Sequence, residues 1–146
     1  MGTRSTYRII EQYKNTETNE ITNNPLALVY FQYDGYPSGH PSETAEWLAS
    51  GKLVNGYGGK TEELIFNGAG CLTAQFIAKF KVGVGGVYIH TMESRGNSWE
   101  DYLYDIIVKF DNTIEFVCYE NNDTPTEIFR GAPSEFVQFA ERPTAE

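Results

Sequence analysis

Cationic residues are scarce in this chain, and that scarcity excludes more than any motif asserts. Eleven Lys and Arg stand against twenty Asp and Glu, a formal charge of −9 over 146 residues. General affinity for DNA, RNA or acidic membranes requires phosphates to be neutralised by Lys and Arg, so none is expected. The two cysteines, Cys71 and Cys118, are isolated in apolar contexts and read as buried free thiols, neither a bridge nor a redox pair. The two histidines, His40 and His90, lack the spacing to join Asp34 and Glu93 around a metal, and neither CxxC nor HExxH occurs. No metal or other cofactor is expected. No apolar run approaches a membrane span and residues 1–20 lack a signal-like apolar segment, so we expect a cytoplasmic protein without membrane partners.

Aromatic residues are abundant instead. Ten Tyr, nine Phe and two Trp make up 14% of the chain, beside 40% hydrophobic and 21% charged residues. That composition belongs to a folded protein, with aromatics supplying a dense core, a binding surface or both. The length predicts one domain over residues 1–146, with the tail 141–146 frayed.

Thr3–Tyr13 alternates as a strand, with Tyr7, Ile9 and Tyr13 on one face and Arg4, Thr6, Arg8 and Ile10 on the other. Polar Lys14–Asn24 is a connection. Pro25 opens LALVYFQY, apolar on both parities, which predicts a strand covered on both faces and antiparallel to the first. Ser42 is read as the N-cap of a helix through Ser50 that turns Thr44, Trp47 and Leu48 inward. A short strand pair is expected within Leu53–Phe66. Leu72, Phe76 and Phe80, widened by Ala69, Thr73 and Ile77, form the buried stripe of a main helix over Ala69–Lys81. VYIHT, DYLYDIIVKF, TIEFVCYE and EIFR read as further strands, the middle two joined by a tight turn at Asp111-Asn112. Pro133-Ser134-Glu135 opens a last helix that buries Phe136, Val137 and Ala140. The fold class is therefore α+β, a mainly antiparallel sheet of five or six strands packed by two or three helices.

Between the second strand and the first helix lies Gln32–Pro41, QYDGYPSGHP, held out of regular structure by its Gly and Pro residues. This loop, the opening Thr3-Arg4-Ser5 and the helix led by Asn67-Gly68-Ala69-Gly70 resemble a group of small accessory proteins of tailed phages and related mobile elements. The resemblance implies a setting, action inside an infected bacterium, and supplies no activity to transfer.

The catalytic motifs that can be drawn are incomplete. Gly59-Lys60-Thr61 ends like a P-loop, but the glycine required five positions earlier is Val54. His40-Pro41-Ser42 fits one half of a two-histidine phosphoesterase, whereas His90 is followed by Thr91-Met92 and supplies no second half. Pairing Cys71 with His90 as a nucleophile needs a fold that joins them. Anion binding is better supported. Arg4 and Arg8 project from one strand face about 13 Å apart, and Asn67, Gly68 and Gly70 offer backbone amides at a helix N-terminus. Tyr33, Tyr36 and Tyr57 offer stacking surfaces, Asp34 and His40 polar groups of the loop, and Arg95 a further cation.

We therefore expect a non-enzymatic binder of a small phosphorylated ligand, which in a phage setting points to sequestering a nucleotide immune signal of the host. The alternative is a module that inhibits a host protein through its acidic, aromatic surface. A phosphoesterase-like enzyme comes third. A homodimer is a fair expectation for a small sheet protein with exposed aromatics.

Overall fold

The computed structural model describes residues 2–56 and 63–141. Tyr57, Gly59-Lys60-Thr61 and the tail from residue 142 lie outside the described residues.

The alternation in the N-terminal segment becomes β1 (Ser5–Lys14), which pairs antiparallel with β2 (Ile21–Phe31). Helix α1 (His40–Ser50), strands β3 (Lys52–Val54) and β4 (Ile65–Asn67) and helix α2 (Gly68–Phe80) follow. Next come β5 (Val87–His90), a 3-10 turn at Met92–Ser94, β6 (Tyr102–Val108), β7 (Ile114–Glu120), β8 (Thr126–Gly131) and α3 (Pro133–Ala140). Six strands form one sheet in the order β5-β2-β1-β6-β7-β8, and β3 and β4 form a separate parallel pair. All neighbours in the large sheet are antiparallel except β1 and β6, which run parallel at its centre. The fold is thus α+β with a mainly antiparallel sheet.

The period-two pattern of β1 decides which side is which. Tyr7 and Ile9 face the helices and join Val29, Phe31, Tyr104, Ile106 and Phe116 in a core closed by Leu48, Leu72, Phe76 and Phe136. Fully burying such side chains contributes about 1.5–3 kcal/mol each. Thr6, Arg8 and Ile10 face the other way, toward a side of the sheet that carries no α-helix among the described residues and is covered in part by the connection between β5 and β6.

Local chemistry explains where the elements depart from expectation. β2 starts at Ile21, so part of the polar connection is strand, and Pro25 lies within it at an irregularity opposite Ile9 and Ile10. β5 pairs only with Leu28–Phe31, so the missing N–H of Pro25 falls where the outer edge of β2 is open. α1 begins at His40 and not after Ser42, because Pro41 fits the first helical turn. The β6–β7 connection spans Lys109–Thr113, bracketed by a hydrogen bond from Lys109 N to Thr113 O (2.8 Å), with Asn112 at φ 64°. Cys71 is exposed and Cys118 buried, because α2 turns Ala69, Leu72, Thr73 and Phe76 inward and Cys71 falls outside that stripe. Burial pushes the Cys118 thiol up to about 12.

The QYDGYPSGHP loop is tied to the start of β1. Gly35 N donates to Thr3 O (2.9 Å), and the buried Tyr104 hydroxyl donates to Gly35 O (2.7 Å). A Cβ on Gly35 would stand 2.5 Å from Ser5 Oγ, inside a fully packed strand. Gly35→Ala is therefore expected to cost about 1–3 kcal/mol, seen as a melting point lowered by roughly 2–4 °C per kcal/mol in a domain of this size. An unchanged melting point would show that this loop does not lock against β1.

Candidate functional site

The structure separates the residues that the sequence suggested would act together. Arg4 stands before the start of β1, whereas Gly68 lines a cavity of about 470 Å³ at the other end of that strand, with Lys14, Lys109 and Asn112. The eight residue steps from Arg4 to Gln12, which also lines that cavity, span roughly 26 Å, so one small ligand cannot touch both. Asn67 uses its Oδ1 to accept from Gly56 N (2.8 Å), and a Cβ on Gly70 would meet nothing within 4 Å. Tyr33 and Tyr36 are exposed on the loop, where Asp34 takes a left-handed φ of 58°.

His40 is half-buried against the edge of the core. Its ring stacks on Phe31 at 4.2 Å, its Nδ1 shares a 2.8 Å hydrogen bond with the buried Tyr7 hydroxyl, and its Nε2 lies 3.5 Å from Ser5 Oγ. Burial lowers its pKa to about 3, so the ring is neutral near pH 7.

Arg8 and Arg95 meet on one buried carboxylate. The cross-strand register places Arg8 beside Asp105, which is 2% exposed, and the pair is bidentate at 2.9 and 2.7 Å. Arg95 Nη2 reaches the same group at 3.3 Å and the Tyr119 hydroxyl donates to it at 3.2 Å. Both guanidiniums are thereby committed to the protein. Of the arginines among the described residues, Arg4 is the one with no side-chain carboxylate partner. It lies beside the Tyr30 phenol, where its charge acts against the upward shift that burial imposes on that hydroxyl.

Tyr30 leads to the site that the sequence reading passed over. On the helix-free side, Tyr30, Gln32, Tyr88, His90, Asn97, Ser98 and Trp99 line an open cleft of about 440 Å³. Tyr30 and His90 stack with ring centres 4.6 Å apart and planes 6° from parallel. Tyr88, opposite Tyr30 in the sheet, forms a further wall. Lys81 sits 5.5 Å from the Tyr88 ring centre and donates to Gly85 O and Val87 O, with no carboxylate partner among the described residues.

The remaining wall is Trp99, and its placement is unusual. It is 83% exposed and adopts φ 65°, a conformation rare for a bulky side chain. Glu100 holds it there. This carboxylate, 3% exposed, accepts from Thr6 Oγ1 (3.0 Å), Gly96 N (2.8 Å) and Ser98 N (2.6 Å). Asn121 fastens the same loop from β7 by donating to Gly96 O and Glu100 O. The sequence signal was present in ESRGNSWE: a tryptophan amid polar turn residues has no core to enter.

Among the described residues no group of three or more His, Cys, Asp and Glu side chains converges as a metal site. No family model, curated protein or solved structure matches the chain, so its chemistry is read from its own geometry.

The depressed His40 pKa has a consequence for stability. The unfolded chain takes up the proton near pH 6.5 and the folded chain only near 3, so stability is intact above pH 6.5 and declines as the pH falls toward 3, by up to about 1.4 kcal/mol per unit. In urea titrations between pH 6.5 and 5, above the carboxylate range, the wild type is expected to lose more stability than His40→Phe. Equal slopes would mean that His40 is solvated.

Proposed function

We propose that the protein binds a small ligand combining a planar ring with a phosphate, held in the cleft between Trp99, Tyr88 and the Tyr30–His90 stack. The observation that carries this reading is a set of aromatic walls with a cation beside each of two lining tyrosines, Arg4 at Tyr30 and Lys81 at Tyr88; neither cation lines the cleft itself, and neither has a side-chain carboxylate partner among the described residues. In a protein of charge −9 such cations attract an anion and disfavour a cationic guest. A nucleotide has the matching parts. Base–aromatic stacking contributes about 1–3 kcal/mol per base, and a charge-assisted hydrogen bond to phosphate is stronger than a neutral one.

Retention without turnover fits the chemistry at hand. His40 is taken up by Tyr7, Ser5 and Phe31, which argues against the phosphoesterase reading. In the phage setting suggested by the resemblance, such a binder would sequester a nucleotide immune signal of the host from the cytoplasm. The alternative, inhibition of a host protein through the acidic, aromatic surface, finds no help from strand addition at β5, because that edge is blunted: Val87 N donates to Gly85 O (2.9 Å) and Val87 O accepts from Lys81 (2.9 Å).

Trp99 provides the readout. Linear and cyclic nucleotides and ADP-ribose derivatives are expected to quench its fluorescence, and one at a hundred times its dissociation constant should add about 2.7 kcal/mol of stability. The ligand should be recovered unaltered by mass spectrometry. Trp99→Asn should weaken binding at least about tenfold while raising stability by about 0.5–1 kcal/mol, because asparagine accepts the left-handed backbone at lower cost. Absence of any quenching or melting shift across the panel would sink the proposal, and an altered ligand would make the protein an enzyme.

A further inference from the structure

The polar groups of the cleft go further than stacking and charge, since most of their hydrogen-bonding capacity is already assigned. Tyr30 donates its hydroxyl to Gln32 Oε1 at 2.8 Å. That contact fixes the carboxamide and leaves the Gln32 NH2 as a donor without a partner among the described residues. Asn97 Nδ2 donates weakly to Glu93 O (3.4 Å) and Arg95 O (3.5 Å), which leaves Asn97 Oδ1 as an acceptor.

The tautomer of His90 follows from its neighbours. Ser94 Oγ donates to Thr91 O (2.8 Å), which commits its hydrogen, and Ser98 Oγ lies 3.3 Å from Ser94 O and equally 3.3 Å from His90 Nδ1. Both serine oxygens face His90 Nδ1, at 3.5 and 3.3 Å. Ser94, its hydrogen already spent, can only accept from Nδ1, which favours the tautomer with the hydrogen on Nδ1 and Nε2 of the neutral ring as the acceptor. Stacking on Tyr30 holds the ring in this orientation.

From this inventory, resting on the binding reading above, we infer that the cleft reads the edge of a nitrogen heterocycle of the purine or pyrimidine type. Such a base offers N–H donors to His90 Nε2 and Asn97 Oδ1, and a ring-nitrogen or carbonyl acceptor to the Gln32 NH2. A plain aromatic phosphate stacks and meets the cations but leaves those three groups unpaired. A site built to hydrogen-bond its ligand discriminates strongly against an analogue that lacks the bonding groups.

The test compares phenyl phosphate, mononucleotides with each base, and the uncharged nucleosides, titrated by Trp99 fluorescence and calorimetry against the full-length wild type and two variants. His90→Phe keeps a ring on Tyr30 and removes Nε2; Gln32→Met removes the donor. We expect at least one mononucleotide to bind tenfold or more tighter than phenyl phosphate. Each variant should lose about tenfold or more for that nucleotide and its nucleoside, with phenyl phosphate changed less than threefold. Equal affinity of phenyl phosphate and every mononucleotide for the wild type, or losses in the variants that are the same for all ligands, would overturn the edge reading and leave stacking with anion binding intact. Failure of every ligand to bind the wild type would overturn both. Circular dichroism of each variant separates lost contacts from lost folding.

Discussion

Both faces of this protein depend on the parallel pairing of β1 with β6. Its register sets Tyr7 beside Tyr104 and Arg8 beside Asp105, so adjacent rungs serve opposite sides of the sheet. Toward the helices, the two tyrosine rings stack at 5.0 Å, and Tyr7 also meets Phe31, Phe76 and Phe116. Away from them, the Arg8–Asp105 pair anchors the β5–β6 connection through Arg95. A slip of one residue would carry tyrosines to the open side and an ion pair into the aromatic core, and no such arrangement could be stable. Because the pairing joins two antiparallel halves made by different parts of the chain, it also ties the loop after β2, through Tyr104 and Gly35, to the second half of the molecule.

The two buried carboxylates of the helix-free side have separate tasks. Asp105 carries two guanidiniums and a phenol, an arrangement whose desolvation cost offsets much of its attraction, so its value lies more in fixing positions than in net stability. Glu100 is met by backbone amides and a hydroxyl, which define the path of the loop around it. Together they make a rigid platform from a stretch with little apolar content. On that platform Trp99 can be kept in a strained, solvent-facing conformation that its own preferences oppose.

Element types were legible because each carries its own periodicity. Tyr7 and Ile9 against Thr6 and Arg8, and the Leu72/Phe76 stripe of α2, decide their faces locally, and the structure agrees, although Thr6 is buried as well, beneath a loop that no period announces. Strand order was not legible, since the β1–β6 contact joins residues 97 apart and depends on the competition among all strands. The site suffered from the same limit. Arg4, Arg8 and Arg95 are equivalent in the sequence, and only the register that brings Asp105 beneath two of them leaves the third without a carboxylate. Gly68 and Arg4 both suit an anion, yet the length of β1 keeps them apart. The loop after β2, with its aromatics and histidine, looked like a ligand loop because glycine, proline and buried polar side chains are also what a loop needs to pack tightly against a strand.

The proposed anion site lies in an acidic protein, a conflict that distance resolves. At physiological ionic strength charges are screened beyond about 8 Å, so most of the net −9 contributes little at the cleft, and the local field is set by its nearest charges. Those include the cations Arg4 and Lys81 and, against them, the Glu100 carboxylate, whose charge also reaches Tyr30, and Asp101, which accepts from Arg4 N (3.3 Å). The excess carboxylates elsewhere still act on the approach of a ligand, repelling long polyanions that would extend over the surface while leaving a compact one to reach the cations. Under the proposed function, overall acidity would therefore act as a filter for size, favouring a mononucleotide-sized guest over nucleic acid.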